Sequence, residues 1–490
     1  MTNATASTPP ASLSAHLKTL FGHSVIYGSQ DAAAQVINLA LTPLYVWILT
    51  PTEVGLIVVL FTFSTVAKVL FRLGLDSGFF RIYYDLDSEE ERARLAGTIA
   101  LFAAAYSTAL FLLVAAGAPL ILRLLGLQGT EAKVPLRLAA ADVYVGTFAF
   151  IPLNLLRIQG RARTFAAVNV GRNFLNTALK LTFVLTGFGV TGVLWSDVLA
   201  TAAMAVGLLP MLLRHVRLAF STRLLREVLA FGLPKAPHGL MVQALNLADR
   251  LILVRFQPLA VVGIYDKAYA LGAGVKFGLS PFETAWQPFV LSRLRLPDAP
   301  RLLAGVITYA AAAFVSLALG IALFGREILM ALTFTRPVFW TGAPVIPVVV
   351  LAYLLHGAFL LVSIGIGIEK RARYYPMITA AAAGTNIVLD LALIPRFGMM
   401  GAAWATVAGY LVMAALGGIV SHRLYPIPLE VGRLARIALA AGVSYVLSWL
   451  APAGIVPAVA VKVALFGGFT LALVATGVLR WPQGGTAGRH

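Results

Sequence analysis

Gln35-Val36-Ile37-Asn38-Leu39-Ala40 recurs 208 residues later as Gln243-Ala244-Leu245-Asn246-Leu247-Ala248. Val54-Gly55-Leu56 recurs as Val262-Gly263-Ile264 and Lys68 as Lys276, again 208 residues on. Ile158-Gln159-Gly160-Arg161-Ala162-Arg163 answers to Ile368-Glu369-Lys370-Arg371-Ala372-Arg373 at an offset of 210, as does Asn176 to Asn386. Gly192-x-x-Trp195 answers to Gly401-x-x-Trp404 at 209. Chance supplies one such match; an ordered series in one register is the mark of a duplicated unit. The period far exceeds that of a solenoid repeat. Duplicated bundles of this size are how many transporters are built.

Composition places the duplicated unit in a membrane. Of 490 residues, 59% are hydrophobic and 12% charged, with mean hydropathy +0.87; soluble domains carry about 25% charged residues. Residues 95–122, 303–325, 341–368, 397–422 and 437–461 hold no Asp, Glu, Lys or Arg, and each exceeds the ~20 residues that cross a bilayer. Spans delimited in this way number about 14, at 24–49, 54–80, 95–116, 134–158, 164–187, 190–214, 232–256, 261–290, 302–324, 341–367, 374–394, 400–424, 433–450 and 455–479. Lipid cannot satisfy free backbone groups, so the spans are helices, and alternating ten-residue barrel strands are absent. The expected fold is an all-α polytopic membrane protein of two six-helix repeats plus two C-terminal helices. An even number of spans per repeat gives both copies the same orientation.

The organisation that follows is a disordered cytoplasmic tail over 1–20, an N-lobe with linker over 21–227, a C-lobe over 228–425, appended helices over 426–480 and a cytoplasmic tail over 481–490. The first 20 residues lack the apolar core of a signal peptide. Short apolar runs at 120–125 and 328–332 are expected as equivalent one-turn surface elements, and 221–229 as an amphipathic interfacial helix. With both termini cytoplasmic, the opposite face keeps only about eight basic residues: Arg123, Lys133, Arg137, Arg250, Arg255, Arg326, Arg336 and Arg396. The net charge of +18 is therefore largely topological, which argues against nucleic acid as a partner.

Several chemistries lack their residues. There is no cysteine, hence no disulfide, thiol nucleophile or Cys-based metal site. His238 and His356 stand without metal-ligand spacing and read as satisfied core histidines. No Gly-rich phosphate loop or Ser/His/Asp set is present, and the short loops offer little surface for chemistry. No metal or organic cofactor is expected, and the reading is a transporter, not an enzyme.

Charges inside spans cost roughly 2.5–3.5 kcal/mol on insertion scales, so survivors face protein or water. Lys68, Arg72 and Asp76 follow at i, i+4 and i+8 along helix 2. Tyr269, Gly272, Lys276, Ser280, Glu283 and Gln287 form a comparable stripe on helix 8. Asp31, Gln35, Asn38 and Thr42 share a face of helix 1, and Gln243, Asn246 and Arg250 a face of helix 7. The four helices are equivalent pairs in the two repeats, so together they would line one hydrated central cavity. Its substrate-binding candidates are Lys68, Arg72, Lys276, Gln35, Asn38, Gln243, Asn246 and Arg250. Local Arg72–Asp76 pairing and interhelical amide bonds are the plainer alternatives. Arg172 and Lys180 are expected to snorkel. Lys180 meets Asp390 across the repeat with opposite sign.

The 41–55 stretch, with Leu41-Thr42-Pro43-Leu44-Tyr45 and Leu49-Thr50-Pro51-Thr52-Glu53-Val54-Gly55, resembles the opening of the polysaccharide-biosynthesis branch of the multidrug/oligosaccharidyl-lipid/polysaccharide exporter superfamily. So do Leu73-Gly74-Leu75-Asp76-Ser77-Gly78-Phe79-Phe80-Arg81, Asn246-Leu247-Ala248-Asp249-Arg250 and Ala285-Trp286-Gln287-Pro288-Phe289. The resemblance runs over about 20–425. It implies two lobes around a V-shaped cavity with alternating access, in the bacterial inner membrane. It also implies flipping of undecaprenyl-pyrophosphate-linked oligosaccharide, with a glycan polymerase and other assembly proteins as possible partners. Relatives draw on an H⁺ or Na⁺ gradient, for which Asp31, Asp76, Asp249, Glu283 and Asp390 are the ion-coupling candidates. The rivals are an ion-coupled drug antiporter, a peptidoglycan-precursor flippase, a membrane glycan polymerase or ligase, and a structural scaffold.

Overall fold

The computed structural model describes residues 42–127, 131–217, 219–294, 298–452 and 454–478. Both predicted tails lie outside them, as does most of predicted helix 1 with Asp31, Gln35 and Asn38. In the first half α1 is Thr42–Ile48, α2 Pro51–Arg72, α3 Leu75–Asp85, α4 Glu89–Ala116, α5 Ala118–Leu124, α6 Lys133–Ile158, α7 Ala162–Leu185 and α8 Gly189–His215. The linker helix α9 is Thr222–Gly232. In the second half α10 is Lys235–Phe256, α11 Leu259–Gly272, α12 Lys276–Arg293, α13 Ala299–Leu332, α14 Val345–Val362, α15 Ile364–Ile368 and α16 Tyr374–Leu424. The appended helices are α17, Val431–Leu447, and α18, Ile455–Ala475.

Local chemistry sets the boundaries. The Thr50 hydroxyl accepts the Glu53 amide while Glu53 accepts the Thr50 amide at 2.8 Å, a capping box with Pro51 at the first helical position. α2 stops at Leu73 and Gly74, both with positive φ, so predicted helix 2 is two helices, α2 and α3. At Gly74 only a glycine fits: a Cβ would stand 2.1 Å from the Gly232 carbonyl oxygen. Predicted helix 8 is likewise broken, by a 3-10 turn over Ala273–Val275 that puts Lys276 at the start of α12. α16 reverses at Gly398, whose φ is 53°. A Cβ on Gly409 would lie 3.1 Å from Cβ of Asn386, so α16 is two antiparallel helices, as the predicted spans 374–394 and 400–424 require.

Nine of the described helical stretches are long and apolar enough to cross a membrane. α7 and α10 have the length, but charged and polar side chains interrupt their apolarity. Only 17% of the apolar window is buried in α4, α17 and α18, which leaves their side chains for lipid. The two short apolar runs are not equivalent. Gly117-Ala118-Pro119 ends α4 and starts α5, whereas Gly325-Arg326-Glu327 lacks the proline and α13 runs through. The linker forms the expected amphipathic helix, capped by Ser221, with Leu224 and Val228 buried. α17 and α18 join α13 through Leu319, Leu323, Ile437, Phe469 and Leu473, and through a Lys462–Glu327 ion pair of 2.6 Å.

The halves meet on the repeat itself. A Cβ on Gly55 would stand 1.9 Å from the Leu259 carbonyl oxygen, and one on Gly263 would stand 2.4 Å from that of Pro51. Both residue pairs are 208 apart, so the contact straddles the pseudo-twofold axis relating the copies. Arg255 adds a 3.1 Å hydrogen bond to the Arg123 carbonyl oxygen. Gly55→Ala must push α2 and α11 apart at backbone level. With labels on Cys introduced at Thr52 and Phe256 of this cysteine-free chain, electron-spin distance measurements should show a longer separation in Gly55→Ala. An unchanged distance would show that the contact tolerates a methyl group.

Candidate functional site

In the N-lobe the seam helix α2 carries Lys68, and α6 presents Asp142 to it at 3.5 Å. Asp142 also lies 3.7 Å from Arg172 of α7 and accepts a 2.5 Å hydrogen bond from Thr201 of α8. Arg172 in turn donates to the Thr201 oxygen at 2.8 Å. The carboxylate is nearly sealed, at 10% side-chain exposure, but Lys68 keeps 43%. One buried anion thus holds two cations, and one of them stays accessible. One turn on, Arg72 pairs with Asp76 at 3.1 Å, and Asn154 donates to the other Asp76 oxygen at 3.2 Å. This is the local pairing that helical spacing allows.

Arg172, Asn176 and Lys180 follow at i, i+4 and i+8 on α7, facing α8. Asn176 donates to Asp197 at 2.8 Å, and the Lys180 ammonium lies 2.9 Å from the same oxygen. Arg172 and Lys180 therefore do not snorkel. Their side chains are 22% and 19% exposed and end on interhelical carboxylates.

The C-lobe is built differently. On α10, Asp249 and Arg250 are both buried and paired at 2.8 Å, and Tyr265 of α11 donates to Asp249 at 2.6 Å. Arg250 reaches Asp266 at 3.5 Å and lies 4.0 Å over the Tyr269 ring. Asn246 accepts from the Tyr410 hydroxyl at 3.2 Å, and the Tyr269 and Tyr353 hydroxyls share a 3.0 Å hydrogen bond. Lys276 has no carboxylate within 4.0 Å among the described residues; its ammonium sits 4.7 Å over Tyr353. His356 packs 5.1 Å from Tyr410, and its buried Nδ1 has no hydrogen-bond partner among the described residues. The expectation of a satisfied histidine fails there, and at the Nδ1 of His238.

Asp390 is fully buried on α16 beside Asn386. In the orientation that satisfies both its ends, the Asn386 amide donates to Asp390 at 3.3 Å and accepts the Thr406 backbone N–H at 3.2 Å. The second Asp390 oxygen has no hydrogen-bond partner, and no basic group lies within 4.0 Å of it, among the described residues.

The predicted residues thus fall into separate groups. Lys68 joins a cluster with Asp142 and Arg172; Arg72 joins Asp76; Asn246, Asp249 and Arg250 join the tyrosine network. Gln243 is half-buried and Glu283 exposed. Among the described residues no hydrogen bond or ion pair links Lys68 with Lys276. The sequence reading missed the part played by Asp142, Thr201 and Tyr265, Tyr353 and Tyr410. Asp142 carried a signal as a lone acid in an apolar span; the tyrosines carried none, because their partners are 16 to 164 residues away.

Residues 46–279 match the model of a family described as "Polysaccharide biosynthesis protein". A comparison with curated protein sequences found no match. Among solved structures, the lipid II flippase MurJ in an inward closed conformation aligns at TM-score 0.74 and 14% identity, over 93% of this chain and 100% of that one. An inward-facing multidrug resistance MATE transporter of the MOP superfamily aligns at 0.59 and 17%, over 80% and 94%. The MATE multidrug transporter DinF-BH aligns at 0.60 and 19%, over 86% and 99%. At these identities the likeness is one of fold: that of a multi-pass helical membrane protein. Residues 46–279 are thus similar to that polysaccharide biosynthesis family, and the chain shares its fold with the MurJ and MATE structures.

Proposed function

We propose that the protein flips an undecaprenyl-pyrophosphate-linked oligosaccharide from the cytoplasmic to the outer leaflet of the bacterial inner membrane, for use by a glycan polymerase. It moves its substrate without chemical change. The observation that carries this reading is the accessible cation on the seam helix: Lys68 keeps 43% side-chain exposure while its counter-charge is buried. Lys276, repeat-equivalent and without a carboxylate partner among the described residues, gives a second basic point on the other lobe. Two ammonium groups suit a pyrophosphate, whose oxygens accept several charge-assisted hydrogen bonds. Gln243 and Asn246 of α10, with Gln35 and Asn38 of helix 1, would meet sugar hydroxyls, and the lipid tail would stay in the bilayer. Arg250 is engaged by two carboxylates and shapes the C-lobe without touching substrate.

Movement needs an energy source. Of the coupling candidates, Asp76 and Asp249 are held by arginines and Glu283 is exposed. Asp390 is buried without a basic partner among the described residues, and it is the residue we assign to an inward H⁺ or Na⁺. Deleting the gene and following its lipid-linked oligosaccharides tests the reading. Flipping predicts their accumulation in the cytoplasmic leaflet. Normal surface glycan with drug hypersensitivity would favour the antiporter instead.

A further inference from the structure

The α7–α8 hairpin of the N-lobe and the α16 hairpin of the C-lobe are copies of one unit, and their differences follow a pattern. Asn176 and Lys180 lie 210 residues before Asn386 and Asp390; Gly189, Trp195 and Asp197 lie 209 before Gly398, Trp404 and Thr406. The reversals match, since Gly189 and Gly398 share a φ of 53°. In both hairpins an asparagine amide lies against a carboxylate at the same level, Asn176 on Asp197 at 2.8 Å and Asn386 on Asp390 at 3.3 Å. The acid has changed helices: the N-lobe carries it on the second helix and the C-lobe on the first. Where the C-lobe has its acid, the N-lobe has Lys180.

Among the described residues the N-lobe carboxylates Asp76, Asp142 and Asp197 each have a cation within 4.0 Å. In the C-lobe, fully buried Asp390 has none, and one of its oxygens is unpartnered. A buried anion without a counter-charge is strongly disfavoured, so the two hairpins meet one electrostatic demand in two ways.

We propose that Lys180 is a built-in cation. Its tethered ammonium fills, in the N-lobe, the place taken by a mobile monovalent cation beside Asp390 in the C-lobe. One half of a duplicated cation slot is then permanently closed, and each transport cycle is coupled through the C-lobe alone. This rests on the assignment of Asp390 to the coupling ion. It adds that the N-lobe copy is a latent small-cation site, which removal of Lys180 exposes.

The test is chemical rescue of stability in purified, detergent-solubilised protein. All variants carry Asp390→Asn, so that the C-lobe contributes no cation response. Lys180→Ala should lower the thermal midpoint by several degrees in choline chloride. Methylammonium or Na⁺ at equal ionic strength should restore it saturably, and adding Asp197→Asn should abolish that rescue. A midpoint unchanged by Lys180→Ala, or one raised equally by choline, would overturn the proposal. If Lys180→Ala yields no folded protein, the neutral pair Lys180→Met with Asp197→Asn decides: folding without added cation supports charge balance as the demand, and failure to fold overturns it. A separate comparison of wild type with Asp390→Asn reads the coupling assignment. Loss of a wild-type cation response supports that assignment, and no wild-type response defeats it while leaving the Lys180 result readable.

Discussion

Replacing Lys68 and Lys276 together by alanine is expected to abolish translocation of lipid-linked oligosaccharide and to leave a folded protein. The two halves of this expectation have separate causes. Hydrogen bonds to charged groups contribute roughly 1.5–3 kcal/mol each, so losing two removes about 3–6 kcal/mol of substrate stabilisation, at least a hundredfold in affinity. The fold should survive because neither lysine is the sole support of a buried acid. Without Lys68, Asp142 retains Arg172 at 3.7 Å and the Thr201 hydroxyl at 2.5 Å. Lys276 gives up only its approach to the Tyr353 ring. A leaflet-accessibility assay on reconstituted protein, with a thermal melt of the same preparation, checks both halves. Translocation at the wild-type rate would remove the lysines from the substrate path.

Asp249→Ala should have the largest effect on stability. Asp249 neutralises Arg250 at 2.8 Å where their side chains are 2% and 5% exposed, and it also accepts the Tyr265 hydroxyl. Removing one partner of a buried pair costs about 3–5 kcal/mol, because the other charge stays behind. Asp266, 3.5 Å from Arg250, would recover part of that, which sets the expectation near the lower end. The reading is the thermal midpoint in detergent, with Tyr265→Phe as a milder control that removes only a hydrogen bond. A melt within a degree of wild type would mean that water reaches Arg250.

The membrane fold was legible because it rests on the coarsest signals, apolar length and repeat register. Where the sequence reading faltered, backbone detail decided. A continuous helix over 54–80 is broken by two residues of positive φ, Leu73 and Gly74; a glycine within an apolar run gives no warning of that. Lys68, Arg72 and Asp76 have the spacing of one helical face. Spacing along a helix cannot tell which neighbour answers each charge, however, and Asp142, on another helix, takes Lys68 while Asp76 takes Arg72. Arg172 and Lys180 looked like snorkelling side chains for the same reason: their carboxylates, Asp142 and Asp197, lie on other helices. The sign reversal between Lys180 and Asp390 was visible in the sequence. Its consequence became visible only when both hairpins were seen to build the same asparagine–carboxylate contact.

The central claim is that a basic path on the lobe seam carries a lipid-linked glycan across the bilayer. Its most direct measurement places purified protein in liposomes with a fluorescent undecaprenyl-pyrophosphate oligosaccharide confined to one leaflet and no nucleotide present. The account predicts that the glycan reaches the other leaflet in the presence of an H⁺ or Na⁺ gradient, and that the double lysine variant leaves it where it started. Glycan that stays in its leaflet with wild-type protein, while the same liposomes exchange a cationic dye for that ion, would contradict it.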